Sequence, residues 1–182
     1  YYAALDGEPD CGGLLSYNYY SGEPITQLDE GRPLFVRTPD SNLSISNFIR
    51  NLLFSAMGTL KIGMDILSDK ENVELDKLQG HGGFFKTKEA GQKLMASALN
   101  VPVVVMESAG EGGAWGIALL ADYMVEKKEN ETLEDYLDKK VFGDNTGSKI
   151  NPDEKDRQGF EDYMKRYKKG LAIERAAIEN MD

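Results

Sequence analysis

The chain has 182 residues, 41% of them hydrophobic and 29% charged, with a formal net charge of -10. That length suits one domain with a sizeable core, and that charge excludes nucleic-acid backbones and anionic membrane surfaces as general partners. A single cysteine, Cys11, excludes an intramolecular disulfide and cysteine-based zinc spacing, and favours a reducing, cytoplasmic setting.

No apolar run reaches the roughly 18 residues of a membrane span, and no signal-peptide pattern opens the chain. It begins Tyr1-Tyr2-Ala3 without methionine and is expected to be a piece of something longer. The acceptor triplets at Asn42 and Asn130 then read as chance matches.

Residues 1–32 are rich in Gly, Tyr, Asp, Glu and Pro and read as loop, with short strands around Gly13 to Tyr20. Pro33 to Arg37 is a strand closed by a Thr38-Pro39-Asp40 turn. A long helix follows. Ile45, Phe48, Ile49, Leu52, Leu53, Ala56, Met57, Leu60, Met64 and Leu67 step by three and four, which predicts one apolar face. Ser41 or Ser44 caps its start.

Leu75 to Gly80 reads as a strand entering the loop Gly80-His81-Gly82-Gly83. Lys88 to Leu99 is a second helix, stopped at Asn100, with Ala90, Gly91, Leu94, Met95 and Ala98 on one side. The run from Pro102 to Met106 has the pattern of a strand buried on both faces. Ser108 and Glu111 form a capping box for a third helix running through Trp115 to Val125. Thr132 to Lys140 is a short capped helix. Pro152 suits the first turn of a last helix with Phe160, Tyr163, Met164, Tyr167 and Leu171 on its apolar side. Glu161–Lys165 and Asp162–Arg166 are spaced as ion pairs on its wet side. The alternation predicts an α/β fold, a mixed or parallel sheet flanked by helices.

Chemistry concentrates between Gly80 and Thr87. Glycines there let backbone approach a ligand closely, and N–H groups bind phosphate without net positive charge. The same glycines also serve a strand-to-helix turn with no ligand, the plainer reading of the pattern alone. The second glycine segment, Gly110 to Gly116, admits phosphate at a helix start or close helix packing; packing suits Gly112, Gly113 and Gly116. Neither segment is a P-loop or fits GxGxxG, which disfavours a dinucleotide-dependent dehydrogenase. His81, the one histidine, could serve as a base but reads more simply as a loop side chain. Ser108 has a capping role, Cys11 has no activating partner, and Asp6, Glu8 and Asp10 read as an acidic loop ahead of a metal site.

Residues 31–142 resemble the C-terminal domain of FGGY carbohydrate kinases, closest to the ribulokinase- and xylulokinase-like branch. The likeness rests on Gly-Arg-Pro-Leu-Phe, the long helix from Ile45, the GHGG loop, and the run from Leu94 through Gly113-Ala114-Trp115-Gly116-Ile117-Ala118-Leu119-Leu120-Ala121. It extends less closely over the flanks, making 1–182 one partial domain with a core at 31–142 and a helical extension at 143–182. The resemblance implies an actin-like, ribonuclease H-like fold, ATP and Mg²⁺ as cofactors, and phosphorylation of a ketose or polyol hydroxyl. It assigns nucleotide contacts to Gly82, Gly83, Phe84 and Thr87. Phe84 stands where the family commonly has a small alanine, and Phe84-Phe85 reads as a local insertion. The family's phosphate loop, sugar-binding residues and catalytic aspartate lie upstream of the match, so this chain is expected to need an N-terminal kinase domain and to be inactive alone. A stand-alone nucleotide-binding or actin-like interaction module is the rival reading. An apolar face where the missing half packs is expected to favour a homodimer.

Overall fold

The computed structural model describes residues 2–87, 89–106, 110, 112–142 and 147–181. One helical turn, α1 (Tyr2–Leu5), leads to a short antiparallel pair. β1 (Leu15–Tyr17) lies against β2 (Leu34–Val36), with Leu15 opposite Val36.

Helix α2 (Ile45–Asp69) starts where Ser44 Oγ accepts a hydrogen bond from the Asn47 amide at 3.1 Å. Its apolar stripe is only partly the buried face. Ile45, Leu60 and Leu67 are exposed, Met57 is buried with Ile49 and Leu53 packed against the core, and the rest of the buried line is Asn47, Arg50, Asn51, Phe54, Ser55 and Gly58. Asn47, Arg50 and Asn51 can take that line because each finds partners, while Ser55 Oγ is buried with none among the described residues. Asn47 accepts from the Glu8 amide at 2.7 Å and donates to the Asn42 carbonyl at 2.9 Å. Arg50 donates to the Ala4 carbonyl at 3.2 Å and to Asp156 at 2.5 Å. Asn51 donates to Ser16 Oγ at 2.5 Å.

β3 (Leu78–Gly80) runs parallel to β4 (Val103–Val105), with Gly80 opposite Val105. The strand is shorter than the expected Leu75–Gly80, because residues 75–77 lie before the ladder with β4 begins. Helix α3 (Ala90–Leu99) joins the two and ends at Asn100, which is left-handed at φ 53°. It is buried almost all round. Its Gln92 donates to the Val103 and Ser148 carbonyls, both at 2.7 Å. Helix α4 (Gly112–Glu126) follows, then α5 (Leu133–Tyr136), which Thr132 caps and which continues into a π-helical turn, Leu137–Val141. β5 (Ser148–Ile150), unmarked in the sequence pattern, pairs antiparallel with β4 and completes a mixed sheet in the order β3-β4-β5. The capping pair Ser108 and Glu111 and the helix start at Lys88 lie outside the described residues.

Helix α6 (Glu154–Asn180) closes the fold. Asp153 caps it by accepting from the Asp156 amide, so Pro152 precedes the cap instead of sitting in the first turn. The apolar side is as patterned: Phe160, Tyr163, Met164, Tyr167 and Leu171 are all buried. They meet α2 in one core with Leu14, Tyr17, Phe54, Met57 and Leu94, so α6, which falls within the expected extension, helps build the core. The expected wet-side pairs are replaced. Glu161 bonds Arg157, Asp162 bonds Lys165 at 2.7 Å, and Arg166 reaches across to Asp10 at 2.9 Å. Arg157 stands one turn before Glu161, while Arg166 is drawn inward by the loop carboxylate.

One buried carboxylate stands out. Glu174 Oε1 accepts from the Arg32 amide at 2.6 Å, while Oε2 is buried with no hydrogen-bond partner among the described residues. Burial raises its pKa above the ordinary 4.5. The folded chain therefore holds this proton longer than the unfolded chain does. The group's contribution to stability falls as pH rises from 4.5 through the raised value. Glu174→Gln keeps the Arg32 bond and removes the charge. We expect the variant's advantage in urea unfolding to be absent at pH 4 and to grow to about 1 kcal/mol at neutral pH.

Candidate functional site

The loop after β3 is shaped by two phenylalanines. Gly80 ends the strand under the Phe85 ring, where an added Cβ would meet ring carbons at 2.5 Å. Gly91, at the start of α3, faces Phe84 in the same way: a Cβ there would stand 2.5 Å from the Phe84 carbonyl and 2.8 Å from its ring. The two rings meet edge to face, with centroids 5.4 Å apart. Phe84 also packs against the main core. The pair thus wedges the loop between strand and helix, a structural reason for bulk at a position where the sequence pattern suggested an insertion.

Held this way, the loop leaves its other glycines bare. Gly82 has φ 96°, a conformation that L side chains rarely adopt, and Gly83 opens a 3₁₀ turn, Gly83–Phe85. Among the described residues nothing lies within 4 Å of an added Cβ at either one. Thr87 is half-buried two residues past the turn. Of the four residues singled out from sequence, Gly82 and Gly83 face open space, Phe84 points its ring inward, and Thr87 stands at the entry to α3.

His81 is exposed and lies against Gly112, where an added Cβ would meet its Cβ and Nδ1 at 3.1 Å. It borders a cavity of about 380 Å³ walled by Trp115, Leu119, Leu133, Leu137 and Phe142. Trp115 and Phe142 meet edge to face at 5.9 Å. The Tyr136 hydroxyl donates to Asp122, which ties α5 to α4 and raises its pKa to about 12. Sequence reasoning missed this cavity. Its signal was the apolar character of α4 on every side, which pattern reading took as sheet packing. Gly113 and Gly116 show no such packing among the described residues, where an added Cβ at either meets nothing within 4 Å.

The other candidates have structural roles. Cys11 is buried, and burial pushes its thiol pKa up, away from reactivity. Asp10 caps the Gly12 amide and pairs with Arg166, and Glu8 accepts from Asn42 and Asn47. Among the described residues no group of three or more His, Cys, Asp or Glu side chains gathers as a metal site. No helix among them is long and apolar enough to cross a membrane.

The family model for the FGGY family of carbohydrate kinases, C-terminal domain, matches residues 2–125. The chain belongs to this family. Among solved structures it is similar to gluconate kinase from Lactobacillus acidophilus, at 21% identity and TM-score 0.68, over 96% of this chain and 33% of that one. Xylulose kinase from the same organism matches at 20% identity and TM-score 0.67, over 98% and 34%. Plasmodium falciparum glycerol kinase, solved with ADP, matches at 20% identity and TM-score 0.66, over 95% and 32%. These likenesses establish the fold, the α/β arrangement of FGGY kinase C-terminal domains of the actin-like type. The chain spans about a third of the length of the kinases it matches. No curated protein gives a match to the sequence.

The wedge predicts opposite outcomes for two glycines in this FGGY domain. Gly91→Ala forces its methyl into the Phe84 backbone and should cost about 2 kcal/mol. Gly116→Ala adds a methyl in open helix and should stabilise by up to about 1 kcal/mol. Thermal unfolding of the two variants beside the parent chain checks both signs.

Proposed function

We propose that this chain is the C-terminal, nucleotide-side part of an ATP-dependent kinase that phosphorylates a hydroxyl of a ketose, a pentulose by preference, or of a polyol. The supporting observation is the bare glycine pair Gly82-Gly83 in a domain of the FGGY family. A phosphate oxygen can approach backbone there without meeting a side chain, and backbone donors suit a chain whose net charge is -10. In this reading Phe84 contributes through its main chain while its ring anchors the loop. Thr87 offers a hydroxyl three residues ahead of α3.

The reaction moves the γ-phosphoryl group from the ATP β,γ-bridging oxygen to the sugar oxygen, and the hydroxyl proton passes to a base. The base, the sugar contacts and most of the phosphate cradle belong to the remainder of the polypeptide. Among the described residues no three or more His, Cys, Asp or Glu side chains gather as a cage for Mg²⁺, an ion that commonly binds through substrate phosphates with one or two carboxylates. A cytoplasmic setting follows from ATP as substrate and accords with a free thiol at Cys11.

Gly83→Ala separates a ligand role from a turn role, because the methyl enters open space where the phosphate approaches. Calorimetric titration with ADP should show binding weakened about 10-fold or more, with the unfolding midpoint unchanged. Unchanged affinity would remove the glycine pair from the nucleotide site. The 182-residue chain mixed with ATP, Mg²⁺ and a panel of ketoses should release no ADP; turnover would show that it carries its own base. If the chain binds ADP and the complete polypeptide also fails to turn over, the non-catalytic module becomes the better reading.

A further inference from the structure

We propose that Phe85 is a positioning residue for the nucleotide: its ring, seated on Gly80, holds the Gly82-Gly83 backbone in the form that receives a phosphate. This rests on the reading of the glycine pair as part of the nucleotide site.

Phe85 grips the loop at two points. Its ring covers Gly80, the last residue of β3, where an added Cβ would meet Cζ at 2.5 Å and the two neighbouring ring carbons at 2.7 and 2.8 Å. Its amide donates to the Gly82 carbonyl at 3.1 Å and closes the 3₁₀ turn. The Lys86 amide then donates to the Gly83 carbonyl, also at 3.1 Å. The seat of the ring and the closure of the turn are thus linked through one residue.

Gly82 stands between the two grips, at φ 96° and ψ -175°. Glycine reaches that region readily, and it reaches many others as readily. It also gives up more freedom on ordering than any other residue. A ligand that had to order two adjacent glycines itself would bind more weakly than one that met them already held. Phe85 removes that cost ahead of binding.

The two phenylalanines have separable roles. Phe84 packs against the main core and faces the backbone side of Gly91. Phe85 is half-buried and, among the described residues, lies outside that core. It meets the Phe84 ring edge to face at 5.4 Å on one side and Gly80 on the other. Phe84 ties the loop to the fold, and Phe85 ties the glycines to Phe84. Gly80 completes the arrangement, because the atom that a methyl there would strike first is Cζ, the far end of the ring. Gly80→Ala therefore pushes the ring off its seat.

The test uses the complete kinase polypeptide that contains this chain, with ADP as the probe. In calorimetric titration Phe85→Ala should weaken ADP binding about 10-fold, and Phe85→Leu, which keeps part of the cover, should recover most of the loss. Gly80→Ala should weaken binding to a similar degree. The double variant Gly80→Ala with Phe85→Ala should bind no more weakly than either single one, because with the ring gone the methyl displaces nothing. In turnover the loss should fall mainly on the KM for ATP, as when binding common to ground state and transition state is removed. Thermal unfolding separates positioning from folding: Phe85→Ala should hold its midpoint within about 2 degrees, while Phe84→Ala, which removes a core contact, should lose several.

A Phe85→Ala variant that binds ADP as the parent does, or single losses that add in the double variant, would overturn the proposal and leave the glycine pair in the nucleotide site. So would midpoints that fall in step with affinity, since Phe85 would then serve folding alone. A parent polypeptide that does not bind ADP would remove the nucleotide reading and this inference together.

Discussion

The fold depends on one close approach, that of α6 to α2 at Gly58. The Tyr167 ring occupies the place a side chain would take, with ring atoms from 2.6 Å of an added Cβ. Around it Phe54 meets Phe160 edge to face at 4.7 Å and Tyr163 at 5.4 Å. Such pairs contribute roughly 0.5–1.5 kcal/mol each beyond the area they bury. At one end of this contact the buried Arg50 guanidinium holds Asp156 at the start of α6 and lies 5.0 Å from the Phe54 ring centroid. At the other, Tyr17 donates to the Tyr167 carbonyl, and Tyr19 and Tyr167 share a hydroxyl hydrogen bond, both at 2.5 Å. Residues some 150 positions apart are thus clamped by aromatic rings whose polar ends are satisfied.

That clamp divides the chain into two zones of different firmness. α2, α3, α6 and β1 share the core, while α4 and α5 stand outside it. The glycine loop lies on the boundary. Phe84 and Phe85 anchor it on the firm side by filling the space over Gly91 and Gly80. Gly82 and Gly83 are left facing the open side. Neighbouring residues thus give the loop an anchored base and a bare tip.

Much of this was legible in residue order, and the failures have physical causes. α6 was readable because aromatic residues at helical spacing do bury together there. β4 was readable because a continuous valine run suits burial on both faces. The buried face of α2 was only partly readable: Met57 lies on it, but its line begins Asn47, Arg50, Asn51, and periodicity cannot know that Glu8, Asn42, Ser16 and Asp156 will come from elsewhere to bond those side chains. β5 was missed because three residues, Ser148 to Ile150, hold no pattern of their own and are recruited by β4. In the candidate site the glycines could be named from sequence, but not which of them faced a ring and which faced space. That distinction depends on where Phe84 and Phe85 turn, and it separates Gly80 and Gly91 from Gly82 and Gly83.

The same distinction bears on how an acidic domain can handle an anionic ligand. A phosphate brought near a chain of net charge -10 meets repulsion at long range, which salt screens within about 10 Å. Close in, what counts is local: backbone dipoles aimed outward and no carboxylate in the way. The loop from Gly80 to Thr87 has no acidic residue and includes one lysine, Lys86, whose aliphatic stem runs beside Gly110. Several acidic side chains act elsewhere, in the loop that Asp10 and Glu8 pin to α6 and α2, and in the exposed pairs along α6. Net charge therefore describes the surface as a whole and says little about the corner where the Gly82-Gly83 backbone is exposed.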